Sequence, residues 1–459
     1  MADSEKKLPT GRIARLAKVG SAAASQAVRQ TGTRAANLGR SPEDARAAMD
    51  RRQYEAAEQV VTVLGEMKGA AMKIGQVLSF VDLQVVPPEY REEFQKKLAK
   101  LRDAAPTVSF DQMKNVITDD LGGSLSDHFA DFDEEAIAAA SIGQVYRARL
   151  HDGREVAVKV QYPGVNDAVR SDMKNLNVLL RLVRSMTPQL DVKAMAAEIR
   201  DRITEELDYE LEAQNQRRIA RDYRDHPFIV IPDVVTELSR ERVIVTELVE
   251  GDGFETIRED SIEERNRVAE IVFRFYYGSM FRRGRFSGDP HPGNMIRQPN
   301  GKIAFIDFGL FKTVDRGTLE VELACQRATT ERDAERLHSL LSEHGFIPQP
   351  EKLDPEILLD YVVEGIGWYC TDEVVALDND YVSRVAIETS DPRSRHFRAM
   401  RHQDIVPEHL FGRRLEMLTL AVLGQLEVEA NWHRIAREWM YGDDPVTELG
   451  RAEEGFYGI

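Results

Sequence analysis

Apolar residues recur at Val60, Leu64, Met67, Ala71, Ile74 and Leu78, spaced 4, 3, 4, 3 and 4 along the chain. That period predicts a helix over residues 51–80 with one apolar face. Lys73, Gly75 and Gln76 fall at its end, and Lys73 and Gln76 share a face by their i, i+3 spacing. Pro87-Pro88 breaks the pattern, and Glu89 to Leu101 resumes as a helix. Phe110 to Leu121 reads as a further short helix, closed by Gly122-Gly123. The period then changes to two. Val156, Val158 and Val160 alternate with Ala157, Lys159 and Gln161, which predicts a strand over Glu155–Gln161. His151-Asp152-Gly153 is the hairpin turn joining it to a strand over Ile142–Arg149. A long helix with acidic residues follows over Ala194–Arg221, then strands over Ile229–Thr236 and Arg242–Leu248. After Gly251 the pattern is mainly helical, interrupted by two loops around 288–294 and 305–309.

Strands first and helices later predict an α+β protein of two lobes. The expected divisions are a basic segment 1–50, a helical extension 51–125, a strand-containing lobe 126–250 and a helical lobe 251–459. The length of 459 residues allows up to about three domains. A net charge of −17 argues against a general nucleic-acid binder. Residues 1–40 run against that balance, with eight Lys/Arg against two Asp/Glu. There Arg12, Arg15 and Lys18 lie beside Ile13, Leu16 and Val19, a basic stripe next to an apolar one. It suits an anionic membrane surface or a solvated tail. No apolar run reaches the roughly 18–20 residues of a membrane span, and Leu415 to Leu426 reads as a buried amphipathic helix. The N-terminus has no continuous apolar core like that of a secretory signal. Two cysteines, Cys325 and Cys370, make no disulfide framework. A cytoplasmic protein, peripheral at most to a membrane, is the expectation.

The candidate chemistry lies in the two loops. Gly288-Asp289-Pro290-His291-Pro292-Gly293-Asn294 is followed by Phe305-Ile306-Asp307-Phe308-Gly309. An Asp, an Asn five residues on and a second Asp thirteen after that have the order and rough spacing of a kinase catalytic loop and its metal-binding turn. Phosphoryl transfer needs a carboxylate near the attacking hydroxyl and hard oxygen ligands for Mg²⁺. Asp289 is therefore the candidate base or water-orienting carboxylate, and Asn294 and Asp307 are the candidate metal ligands. Lys159, inside its short strand, stands where a kinase lysine meets the α- and β-phosphates. The turn before it, Ala138, Ala139, Ala140, Ser141, Ile142, Gly143, Gln144 and Val145, has alanines where a kinase has glycines, and is read as a phosphate-facing loop. Among Glu205, Glu206, Asp208 and Glu212 on the acidic helix, Glu206 is the expected partner of Lys159. Thr246, Glu247 and Val249, ahead of Gly251, form the expected adenine hinge. His291 has no second His or Cys at ligand spacing, so a loop-fixing hydrogen bond is expected of it rather than a metal.

Assembled, the chain resembles the UbiB/ADCK family of atypical kinases, also called AarF or Abc-one. The resemblance runs over about residues 55 to 320. It rests on Lys73-Ile74-Gly75-Gln76, Ala138 to Gln144, Val156-Ala157-Val158-Lys159-Val160-Gln161, Glu206-Leu207-Asp208-Tyr209, Asp289 to Asn294 and Asp307-Phe308-Gly309. It implies a protein-kinase-like fold with an N-terminal helical extension. It also implies that Lys73 and Gln76 face the nucleotide phosphates, contact the Glu206/Asp208 region and guard the site against protein substrates. The cofactors implied are ATP or ADP and Mg²⁺. The activity implied is nucleotide binding and hydrolysis linked to isoprenoid quinone or other lipid metabolism at a membrane. A protein kinase acting in trans, and a nucleotide- or small-molecule-binding pseudokinase regulator, are the alternatives.

Overall fold

The computed structural model describes residues 108–140, 142–173, 200, 204, 207–390, 394–396, 399, 402–403 and 407–458. The predicted helices at 51–80 and 89–101, with Lys73, Gly75 and Gln76, lie outside the described residues, as do Ser141 and Glu206. The chain divides into two compact units. One takes the described residues up to Glu210 together with Thr236–Val245, and the other takes Leu211–Val235 and Thr246 onward.

Among its described residues the first unit starts with helix α1 (Phe110–Leu121), as the pattern predicts. It turns Met113, Val116 and Ile117 inward and ends at Gly122 in a left-handed conformation, φ 74°. A short helix, α2 (Leu125–His128), leads into a sheet ordered β1-β2-β3-β5. Its strands are β1 (Phe129–Ala139), β2 (Gly143–Leu150), β3 (Glu155–Gln161) and β5 (Val243–Glu247). In β3 the alternation does what it predicts, with Val156, Val158 and Val160 all fully buried and Lys159 half-buried. β1 was not foreseen. Its acidic sequence has irregular pairing at three places, so a period of two never forms. This strand also shortens the expected alanine loop. Ala138 pairs with Val145 and Ala139 with Gln144, leaving a tight turn closed by the Ala140 N–H on the Gly143 carbonyl at 2.9 Å. Gly143 is fixed by close approach, since a Cβ there would lie 2.1 Å from the Val160 carbonyl oxygen. Asp120 on α1 accepts from both the Arg242 backbone (2.9 Å) and its Nε (3.1 Å), tying that helix to the start of β5. Helix α3 (Val165–Met173) follows β3 in the chain.

The second unit opens with α4 (Tyr209–Asp222), all but its first two residues, and β4 (Ile229–Val230). The expected strand over 229–236 is reduced to those two residues and a single bridge between Val234 and Thr246. Residues 211–235 fall here rather than with the expected lobe 126–250. Ile219, Ala220, Tyr223, Phe228 and Ile229 belong to the same apolar core as the helices that follow. Those begin with β6 (Asp252–Gly253), α5 (Phe254–Arg258) and α6 (Ile262–Phe273). A π turn, Arg274–Gly278, with all five residues buried, separates α6 from α7 (Ser279–Arg283). Four short strands come next: β7 (Arg285–Ser287), β8 (Met295–Arg297), β9 (Ile303–Phe305) and β10 (Phe311–Thr313). The remainder is helical: α8 (Arg316–Thr330), α9 (Ala334–Glu343), α10 (Pro355–Cys370), α11 (Asn379–Ser390), α12 (Pro407–Leu426), α13 (Trp432–Met440) and α14 (Glu448–Tyr457). One small antiparallel pair of strands interrupts it, β11 (Val375–Leu377) with β12 (Val428–Ala430). The expected buried helix 415–426 is the second half of α12, with Leu415, Leu420, Leu423 and Leu426 fully buried. No helix among the described residues is long and apolar enough to cross a membrane.

Candidate functional site

The two motif loops are held by nested pairing. β7 pairs antiparallel with β10, and β8 pairs antiparallel with β9. Residues 288–294 connect β7 to β8, and 306–310 connect β9 to β10, so both loops leave from the same pair of ladders. Short strands of three residues show no readable period, and only the structure reveals this arrangement. Backbone bonds then cross-brace the loops. Ile306 N–H donates to the Asn294 carbonyl at 3.1 Å, and Gly288 N–H donates to the Leu310 carbonyl at 2.8 Å.

Within the first loop, His291 Nδ1 accepts from Gly293 N–H at 3.0 Å and starts the 3₁₀ turn Pro292–Asn294. This is the loop-fixing bond expected of His291. Pro292, with its preset φ, suits the first position of that turn. Asn294 Nδ2 donates to the Asp289 carbonyl at 3.3 Å, which leaves Oδ1 as the acceptor end of the amide. Asp307 Oδ1 accepts from Gly309 N–H at 3.0 Å, and the Asp307 carbonyl accepts from Ser287 Oγ at 3.3 Å. The donor set suits Mg²⁺. One carboxylate and one amide oxygen are hard ligands, and Mg²⁺ commonly takes only one or two protein oxygens, completing its shell with water and phosphate. No group of three or more His, Cys, Asp or Glu that could hold a metal alone occurs among the described residues.

Glu212 lies beside the Asp307 turn. It is 3% exposed, and a Cβ placed on Gly309 would lie 3.6 Å from Glu212 Oε2 and 3.5 Å from Asp307 Oδ1. The acidic helix therefore brings Glu212 to the Asp-Phe-Gly turn, while Glu206, the expected partner of Lys159, lies outside the described residues. Tyr276, on the π turn, was missed altogether. Burial first, then the charges of Asp289 and Asp307, push its phenol far above the ordinary tyrosine range, while a hydrogen bond with the His291 backbone pulls the other way. The ring stays neutral, and its oxygen can accept from the His291 N–H.

The other unit carries Lys159. Its ammonium lies 4.9 Å from the centroid of the Tyr209 ring, and in the β2–β3 ladder it stands opposite Val145. Gln161, two residues on, donates from Nε2 to the Leu207 carbonyl at 2.8 Å and to the Glu241 carbonyl at 3.3 Å. That tie anchors the segment beside Asp208, which is half-buried. At the expected hinge, the Glu247 N–H is taken by the Asp233 carbonyl at 2.9 Å, so only the Glu247 carbonyl could meet an adenine amine. Thr246 and Val249 are half-buried.

A family model described as the ABC1 atypical kinase-like domain matches residues 100–341. The chain belongs to the ABC1 atypical kinase-like family. AarF domain-containing protein kinase 1 of Xenopus tropicalis is 34% identical over 269 residues, which is 57% of this chain and 50% of that protein. The mitochondrial atypical kinase COQ8B of Danio rerio is 31% identical over 309 residues, 66% of this chain and 49% of that protein. The chain thus spans about half the length of these relatives. Rv3197 of Mycobacterium tuberculosis, solved as a complex with erythromycin, superposes with a TM-score of 0.62 at 29% identity, over 87% of this chain and 98% of that one. The ABC1 domain as matched ends within α9, so the helices beyond it lie outside the matched region. The resemblance drawn from the motifs and the α+β kinase-like fold are both supported by these matches.

Proposed function

We propose that this ABC1-family chain binds Mg-ATP and hydrolyses it, in a role tied to isoprenoid quinone or other lipid metabolism. What supports the reading is the cross-braced pair of loops carrying Asp289, Asn294 and Asp307, whose oxygen ligands are of the kind Mg²⁺ takes. Asn294 and Asp307 would hold the metal, which when bound would neutralise charge on the phosphate oxygens. Asp289 would orient the attacking water and take its proton. Lys159 would engage the α- and β-phosphates. Glu206 would hold Lys159, and Glu212 would supply a second buried carboxylate at the metal end. The Ala138–Val145 hairpin turn would cover phosphate, and Thr246 with the Glu247 carbonyl and Val249 would meet the base. Lys73, Gly75, Gln76 and Asp208 would guard the site against protein substrates. The basic segment 1–50 would contact an anionic membrane surface.

ATP hydrolysis is measured with and without anionic liposomes and quinone headgroup analogues. Stimulation that disappears on removing residues 1–50 supports the membrane role, and no response to either addition opposes it. Rv3197, at 29% identity, was solved with erythromycin, and this favours a second reading, a small-molecule-binding regulator. Erythromycin that shifts the melting point in a protein devoid of ADP production would support that reading over the first.

A further inference from the structure

The π turn between α6 and α7 is anchored from the far end of the chain. Arg274 is fully buried, and each of its five N–H donors has an acceptor. Nε donates to Glu270 at 2.7 Å, Nη1 to Glu438 (2.8 Å) and Glu453 (2.9 Å), and Nη2 to Glu438 (2.6 Å) and Thr447 (3.1 Å). Glu438 lies on α13, Glu453 on α14, and Thr447 caps α14. The approach leaves no slack: a Cβ on Gly450 would lie 2.6 Å from Arg274 Nη2. One residue later the same turn meets the catalytic strand. The Phe275 ring stacks on Phe305 with centroids 3.7 Å apart, and Tyr276 meets the same ring edge-on at 5.4 Å. Phe305 ends β9, two residues before Asp307, and the Tyr276 oxygen lies where the His291 N–H of the other loop can donate to it.

We propose that Arg274 and Tyr276 are positioning residues: helices α13 and α14, through the buried Arg274, hold the π turn whose Phe275 and Tyr276 set the spacing of the Asp289 loop and the Asp307 turn. A π turn adds one residue to the helical register, and such bulges recur at functional sites because they re-aim side chains without ending the helix. Here the extra residue lets Arg274 face the C-terminal helices while Phe275 and Tyr276 face the loops. The C-terminal region, where the sequence shows no motif, thereby acts on the metal site. This inference rests on the reading that Asn294 and Asp307 hold a metal.

The test uses the full chain with Mn²⁺ as the probe, titrated in the presence of ATP and followed by electron paramagnetic resonance, with melting recorded in parallel. Tyr276→Phe keeps both ring contacts and removes only the hydroxyl. It should melt as the wild type does and lose about 10-fold in Mn²⁺ affinity, the usual cost of removing a group that orients metal ligands. Arg274→Lys should lose a similar factor. Leu358→Ala, in the α10 core, is the control for destabilisation alone and should leave Mn²⁺ affinity unchanged at a temperature where it is folded. Wild-type protein that binds no Mn²⁺ would sink the metal-site reading itself. Wild-type binding with Tyr276→Phe indistinguishable from it, or Arg274→Lys no weaker than Leu358→Ala, would overturn the positioning role.

Discussion

Replacing Arg274 by methionine removes the charge and keeps most of the volume. Its guanidinium is wholly buried among Glu270, Glu438 and Glu453, of which Glu438 and Glu453 are nearly inaccessible. Arg282 is the other cation within reach, 2.8 Å from Glu438 and 3.5 Å from Glu453. Two cations against three carboxylates become one against three, in a site with little water. Breaking a buried pair from one side typically costs about 3–5 kcal/mol, because the remaining charge is left uncompensated. Arg282 can compensate part of this, so the lower half of that range is expected. With a urea slope of about 2–3 kcal/mol per molar, the midpoint should fall by about 1–2 M. All three tryptophans, Trp368, Trp432 and Trp439, lie in this unit, so their fluorescence reports its unfolding. The deficit should also depend on pH. In the wild type the Glu453 carboxyl is held below its ordinary value; burial opposes this, and His226, Arg282 and Arg274 outweigh it. That stabilisation is present above the unfolded value of 4.5 and is lost as pH falls through the folded one. Without Arg274 the carboxylates protonate more readily, so the gap between variant and wild type should narrow on acidification. A midpoint shift worth less than about 1 kcal/mol, or a gap that widens toward pH 5, would refute the reasoning.

Three further outcomes follow from the same geometry. Gly143→Ala places a methyl 2.1 Å from the Val160 carbonyl and should destabilise the first unit by about 2 kcal/mol or more, seen as a lower melting point, with nucleotide affinity as a second readout; an unchanged melt would mean the β2–β3 contact yields freely. His226 is fully buried, its Nδ1 accepts from the Phe228 and Ile229 backbones, and burial lowers its pKa below the ordinary 6.5. The unfolded chain binds that proton more readily, so stability should drop as pH falls through and below about 6.5, and His226→Gln should flatten that slope in urea titrations taken at several pH values. Phe305→Ala removes the ring on which Phe275 and Tyr276 pack and should cost about 3–5 kcal/mol by chemical denaturation.

Much of the candidate site could be read from sequence because its residues sit where local chemistry is strict. Asp289, Asn294 and Asp307 needed particular side chains at particular spacings, and His291 needed a partner within its own loop. Helix α1 and strand β3 were readable end to end because each buries one face against its own unit. What stayed hidden did so for physical reasons. The π turn is buried on every side, so no amphipathic stripe marks its extra residue. Glu212 lies on a buried helix face that is itself polar, beside Asn215 and Gln216, so no apolar stripe marks that face as buried. β7 and β10 are too short to carry a period, and their pairing is what sets the two loops side by side. Arg274 gave no signal either: a lone arginine in an aromatic run reads as a surface residue until its five acceptors, from residues 164 to 179 positions away in four of the bonds, are seen together.

The most direct test of the central claim is a calorimetric titration of wild type and Asp307→Asn with Mg-ATP. The account predicts saturable Mg-dependent binding by the wild type and its loss in the variant, with the variant's melting point unchanged in the absence of ligand. Equal Mg-ATP binding by the two proteins would contradict it.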